Sequence, residues 1–214
     1  MTLHDADLAR GALLLERVLP GTRLADEPDR WPLGEIAPVL SDLWQQPAEP
    51  GALAGLPGLG ERAEFLFEMT RRRLDRYPTV AARVPPHLVE VARDRSRALA
   101  GAGAARLLHG DLHAGNVLRA GDGRGLVAID PRPCRGDPAF DAVDWVLAAG
   151  GGEQAVRRRI DWLAGRVDGL DPDRTWSWCQ VMAVILAVLV LIGGPDDPAG
   201  EEMLAIARAT AWTG

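Results

Sequence analysis

Lysine does not occur anywhere in the sequence; all 24 basic residues are arginine. That absence excludes two chemistries. A phosphate-binding loop of the G-x-x-x-x-G-K-[ST] type needs its lysine to reach the phosphates, and Schiff-base catalysis needs a lysine amine. Cysteine is almost as scarce. Cys134 and Cys179 are isolated and lack C-x-x-C spacing, so neither a disulfide framework nor a paired metal site is expected, and a reduced cytoplasmic setting is the default. Met1 to Arg10 carries Asp5 and Asp7 and no apolar segment, unlike a signal peptide. Long hydrophobic runs are missing with one exception. Val181 to Ile192 is continuously apolar, but it falls short of the ~20 residues needed to span a bilayer. The run is expected to be a buried core helix, with no membrane as partner.

The 214 residues suffice for one domain, or for a large lobe of a bigger one. With 47% apolar and 25% charged residues, the composition is that of a globular chain able to bury its own core. A net charge of -6 argues against nucleic acid as partner and is compatible with a cationic ligand.

Gly11 to Val18 has the length and apolarity of a strand, running into a turn at Pro20-Gly21. Ile36, Val39, Leu40 and Leu43 follow helical spacing, closed by Pro47. Gly51 to Gly60 is expected as a loop, Glu61 to Arg76 as a helix stopped by Pro78. A further helix starts after Pro85-Pro86 and ends near Gly101, with Leu88, Val91, Ala92 and Leu99 inward. The periodicity then changes. Arg106 to Leu108, Val117-Leu118 and Leu126 to Ile129 are extended pieces, and Gly121-Asp122-Gly123 is a hairpin turn signal. Asp137 is placed to cap a helix with Pro138 at its first position. Val156, Ile160, Leu163 and Val167 mark another helix, and a last one runs from about Pro198 to Trp212. The class is α+β, mostly helical, with a small β-hairpin insert.

The segment with the strongest chemical content is His109-Gly110-Asp111-Leu112-His113-Ala114-Gly115-Asn116, followed by Ile129-Asp130-Pro131. Asn116 precedes one strand and Asp130 follows the next. If the strands pair, both polar groups lie at the open end of one hairpin, where facing Cα atoms are about 4.5–5.5 Å apart. An amide oxygen and a carboxylate so placed can share an oxygen-loving cation such as magnesium, with Asp111 in the approach loop facing it. That arrangement suits phosphoryl transfer, with a carboxylate taking the proton of an attacking hydroxyl.

The spacing from Asp111 to Asn116 equals that of the kinase catalytic loop H-x-D-x-x-x-x-N, and Asp130 stands where the aspartate of D-F-G would be. The fuller run HGDLHAGNVL with AIDPRPCRGDPAFDAVDW resembles the aminoglycoside phosphotransferases, and its Asp-Pro points to the streptomycin and hydroxyurea branch. The resemblance implies a protein-kinase-like C-terminal lobe and an ATP-dependent small-molecule phosphotransferase. It implies Asp111 as catalytic base, Asn116 and Asp130 as magnesium ligands, and His109, His113 and Asp141 as structural support. Residues 1–20 would be a remnant of the N-terminal lobe, a residual strand whose hinge at Glu16, Arg17 and Val18 holds the adenine. Residues 21–214 would form the helical lobe.

Several residues have plainer readings. His109, Asp111 and His113 could mimic a zinc cluster, but the only other histidines are His4 and His87. The Arg71 to Arg73 and Arg157 to Arg159 runs are expected to be solvated helix faces. Relative to that family the chain has about ten residues before the hinge strand, and no lysine to clamp the nucleotide. One charge-assisted hydrogen bond is worth about 1.5–3 kcal/mol, so loss of the lysine alone predicts a deficit of about ten- to a hundredfold. Weak turnover by this chain alone is therefore expected, with a small-molecule acceptor; the alternatives are a non-catalytic small-molecule-binding module, or half of a split kinase completed by a separate N-lobe polypeptide.

Overall fold

The computed structural model describes residues 1–28, 31–45, 51, 53–103, 105–121 and 123–209. The chain opens with β1 (Leu3–Asp7) and β2 (Ala12–Leu15), then β3 (Pro20–Arg23) and a 3-10 turn at Leu24–Asp26. Helices α1 (Leu33–Gln45), α2 (Leu59–Arg76), α3 (Pro78–Ala81) and α4 (Pro86–Ala100) follow. The central β region holds β4 (Arg106–Leu108), a 3-10 turn at Ala114–Asn116, β5 (Val117–Ala120), β6 (Gly125–Ala128) and β7 (Cys134–Gly136). Helices α5 (Ala139–Leu147), α6 (Gly152–Ala164), α7 (Pro172–Gly193) and α8 (Pro198–Arg208) complete the order.

The core is organised around α7, against which α2, α4, α5, α6 and α8 pack. This is the apolar run noted in the sequence. It is long and apolar enough to cross a membrane, yet 67% of its most apolar window is buried inside the fold. A helix apolar on every side must be surrounded on every side, and Trp178, Val184, Val188 and Leu191 are fully enclosed. Its start is fixed locally: Pro172 occupies the first turn and the Asp171 carboxylate accepts from the backbone N–H of Asp173 at 2.9 Å and Arg174 at 3.1 Å. Asp197 and Pro198 start α8 in the same way.

The expected hairpin is present. β5 and β6 pair antiparallel in the register Val117↔Ala128 to Ala120↔Gly125. Two pairings were not foreseen. Pro20-Gly21, expected as a turn, lies in β3, which pairs with β5. Arg106 to Leu108 pairs with β7, Leu108 facing Cys134. The result is a nested pair of ladders. The outer one, β4–β7, closes the base of residues 109–133, and the inner one is the β5–β6 hairpin.

Other expectations need correction. Val91 is 42% exposed rather than inward, because one turn of α4 has room for only its Leu88, Val89 and Ala92 stripe against the core. α2 starts at Leu59, earlier than Glu61, since the Glu61 side chain accepts from the Gly58 N–H at 3.0 Å and draws the first turn back. Val167 is buried beyond the end of α6. α8 ends at Arg208. Pro47, Asp122 and Trp212 lie outside the described residues.

Asp137 is not the N-cap residue of α5; Pro138 holds that place. Its carboxylate does accept from the Ala139 N–H at 3.1 Å, and it does more. The second oxygen accepts from the Trp178 indole at 2.8 Å and from Arg174 Nε at 2.8 Å, tying α5 to α7 inside the core. Asp137 is 4% exposed. Removing one member of such a buried pair strands the others. Asp137→Ala is expected to cost about 3 kcal/mol in urea unfolding; a loss below about 1 kcal/mol would show that the network is not what joins the helices.

Candidate functional site

The nested ladders decide where the site lies. The loop from His109 to Asn116 joins β4 to β5, and residues 129–133 join β6 to β7, so both segments emerge at one end of the two ribbons. They are stitched together by the Ile129 N–H donating to the Asn116 carbonyl at 2.9 Å and the Arg132 N–H donating to the His109 carbonyl at 2.8 Å. His109 is buried, and its Nε2 lies 3.0 Å from the Ile129 carbonyl. Burial holds its ring below the ordinary histidine range, which keeps a neutral imidazole as a spacer between the segments.

Gly110 has φ +74, and a Cβ there would overlap the Arg132 carbonyl oxygen, so only glycine allows the close crossing. Asp141, enclosed on α5, accepts from the His109 N–H at 2.8 Å and the Gly110 N–H at 2.9 Å. Burial pushes its carboxyl up to about 7 while those two donors pull it back. The next turn is set by His113, whose Nδ1 accepts from the Gly115 N–H at 3.1 Å and starts the 3-10 turn.

Asp111 and Asn116 meet directly. The Asn116 amide donates to the Asp111 carbonyl at 2.9 Å and approaches its carboxylate at 3.4 Å, leaving the amide oxygen free to face a cation. Asp130 adopts φ 52, a left-handed conformation that aspartate tolerates better than most residues. Its side chain is 59% exposed, with Arg132 at 3.7 Å. Among the described residues no three His, Cys, Asp or Glu side chains form a metal cage. One amide oxygen and one open carboxylate nevertheless fit magnesium, which keeps several waters and takes few protein ligands.

Comparison with known proteins shows the family and the fold. The family model described as aminoglycoside/hydroxyurea antibiotic resistance kinase matches residues 2–193. The chain belongs to that family. It is 37% identical over 187 residues to streptomycin 6-kinase of Streptomyces glaucescens, covering 82% of this chain and 57% of the relative. It is 37% identical over 179 residues to hydroxyurea phosphotransferase of Kitasatospora aureofaciens, covering 82% of this chain and 50% of the relative. The chain thus spans little more than half the length of these relatives. The fold is shared with choline kinase LicA from Streptococcus pneumoniae, at a TM-score of 0.59 and 15% identity over 97% of this chain and 74% of that one. The mostly helical, protein-kinase-like class expected of an antibiotic resistance kinase is therefore the observed one.

The three residues expected at the hinge, Glu16, Arg17 and Val18, follow β2 at the end of the β1–β2 ribbon. The Glu16 N–H donates to the Thr2 carbonyl at 2.9 Å, and Arg124 at 2.7 Å holds the Glu16 carboxyl down at about 2. Val18 is buried, and the strand expected over Gly11 to Val18 spans only Ala12–Leu15, so Glu16, Arg17 and Val18 lie beyond its end. The ribbon's leucines have little cover: Leu3, Leu13 and Leu14 are each more than half exposed, as is Leu19 beyond the ribbon's end.

Sequence reading missed Arg62. From α2 its Nη2 donates to the Asp111 carboxylate at 2.9 Å and its Nε to the Gly110 carbonyl at 2.9 Å. No spacing could reveal a contact made across 49 positions by helix packing. Asp144 lines the same cleft from α5. Burial pushes the Asp144 carboxyl up to about 6, His113 pulling it back and Asp111 adding to it. One arginine run was misread: Arg71 and Arg72 pair with Glu68 on the surface, but Arg159 is tucked against the carbonyls of Val146 and Gly150.

Two outcomes follow from the buried Asp141 and the half-buried Asp144. Asp141→Ala leaves two backbone donors unpaired, each costing about 1–3 kcal/mol; hydrogen exchange at His109 and Gly110 should quicken, and unchanged protection would refute the pinning. Asp144 has a folded value above its unfolded one, so its favourable contribution is full below about pH 4 and is lost as pH rises through 6. Asp144→Asn does not titrate. Its melting temperature relative to the parent chain should rise between pH 4 and pH 8 by the equivalent of about 1–3 kcal/mol; a flat difference would contradict the burial of the charge.

Proposed function

We propose that this chain carries the catalytic half of an ATP-dependent phosphotransferase that phosphorylates a hydroxyl of a small molecule in the antibiotic-kinase class. The observation that carries the reading is the contact of Asp111 with Asn116 in a loop pinned to α5, with Asp130 opening from the partner segment of the same ribbons. Asp111 accepts the proton of the attacking hydroxyl. Arg62 fixes the direction of its carboxylate. Asn116 and Asp130 would hold magnesium, which would offset the negative charge of the phosphates. His109, His113 and Asp141 keep the loop in shape.

Residues 1–20 are read as the linking strand and hinge, with backbone groups of Glu16, Arg17 and Val18 meeting the adenine, and residues 21–214 as the helical lobe. The uncovered leucines of the β1–β2 ribbon favour a nucleotide-covering layer docked there, contiguous with this chain or on a separate polypeptide. The cytoplasm, where ATP is available, is the matching compartment.

Calorimetry of ATP binding with and without magnesium tests the reading. Magnesium should strengthen binding, and Asp130→Ala should remove that gain. Asp111→Ala should leave binding near the parent value while lowering phosphoryl transfer by about 10²–10⁴-fold. Nucleotide binding indifferent to both magnesium and Asp130 would sink it.

A further inference from the structure

Helix α2 is a wall between two cavities. One face, carrying Arg62, Leu66, Met69 and Arg73, lines the cleft beside Asp111. The other, carrying Phe67, Arg71, Leu74 and Asp75, lines a second cavity of about 260 Å³ against the end of α3 and the start of α4. Each set keeps the spacing of a single helix face, and no residue lines both cavities. None of the residues given a part in phosphoryl transfer borders the second one.

Its floor is apolar and its rim is charged. Phe67, Val84 and Val89 make the floor, each at most 7% exposed. An apolar cavity of about 150 Å³ accepts benzene, so the larger volume here has room for a ring with a short arm. A ring set against Phe67 also gains from edge-to-face or offset packing.

The rim decides the charge of that arm. Both guanidinium groups in the lining are committed. Arg71 donates to Glu68 at 3.0 and 3.1 Å and to Asp75 at 3.1 Å. Arg93 donates twice to Glu64, at 2.7 and 3.0 Å. Glu90 is exposed near Arg93 and has no hydrogen bond or ion pair among the described residues. An arriving anion would meet Glu68, Asp75 and Glu90 with neither arginine of the lining uncommitted. An ammonium would find Glu90 open.

We propose that the cavity between α2, α3 and α4 is a binding site for a small aromatic amine, with its ring on Phe67, Val84 and Val89 and its ammonium at Glu90. The site is separate from the cleft beside Asp111, and it stands or falls independently of the phosphotransferase reading.

The test is a titration of the nitrogen-15-labelled chain at pH 7, followed by backbone amide shifts in magnetic resonance spectra. Three probes are used: phenethylamine, phenylacetate (the same ring with opposite charge) and butylamine (the ammonium without the ring). Phenethylamine should shift the amides of residues 67–75 and 81–93 ahead of those of the 110–113 loop. It should bind about threefold or more tightly than phenylacetate, the range of an exposed ion pair, and about tenfold more tightly than butylamine. Glu90→Gln, at an exposed position, should remove most of the preference over phenylacetate. The proposal is overturned if the shifts centre on the 110–113 loop, if phenylacetate or butylamine binds as tightly as phenethylamine, if Glu90→Gln leaves the preference intact, or if no probe shifts any amide.

Discussion

The carboxylate of Asp141, sealed within α5, accepts from the consecutive backbone N–H groups of His109 and Gly110 and so anchors the loop that begins there. Everything downstream in the site inherits its position from that bond pair. The loop turns at Gly110, where a side chain would strike the Arg132 carbonyl, and turns again at His113, whose ring caps Gly115. Asp111 and Asn116 come into contact between those two turns. Backbone donors are obligatory partners for something when buried, and here a side chain from a helix in the core, not a neighbouring strand, is the acceptor. A mobile surface loop is thereby given the rigidity of α5, which positioned chemistry requires.

The β region adds the second constraint. The outer β4–β7 ladder and the inner β5–β6 hairpin share one end, so two segments separated in sequence leave the ribbons side by side. Arg62 then reaches in from α2 and ties the loop to the helical layer through both the Gly110 carbonyl and the Asp111 carboxylate. With no lysine in the chain, arginine carries this role, and its planar fork suits two simultaneous acceptors. Arg174 works alike on the other side of α5, bridging Asp137 and the Leu99 and Ala102 carbonyls.

The helical layer is more than a support. α2 and α7 meet the loop with apolar side chains that remain partly exposed, and α5 places Asp144 among them, near His113 and without a hydrogen bond or ion pair among the described residues. Apolar surface is left open both at the cleft, which faces the reacting loop, and along β1 and β2.

How much of this could be read from the amino-acid order depends on the range of each interaction. Helix starts were legible at Pro86 and Pro198 because caps and proline act within a turn. The hairpin was legible from its glycines and alternating strands, and the H-x-D-x-x-x-x-N spacing located Asp111 and Asn116 because both belong to one short loop. Asp141 was legible only through resemblance. What local signals could not carry were β3 and β7, short strands without apolar patterning that exist only because β5 and β4 offer them edges. Val91 facing out and Arg159 facing in are decided by which helix packs opposite. Arg62 meeting Asp111, and Asp144 lining the cleft beside His113, are likewise products of packing across dozens of positions. The sequence by itself determined the chemistry of the loop, since that chemistry is local; only the tertiary structure decided which charges are neutralised and which is left free, since that depends on distances the chain sets when it folds.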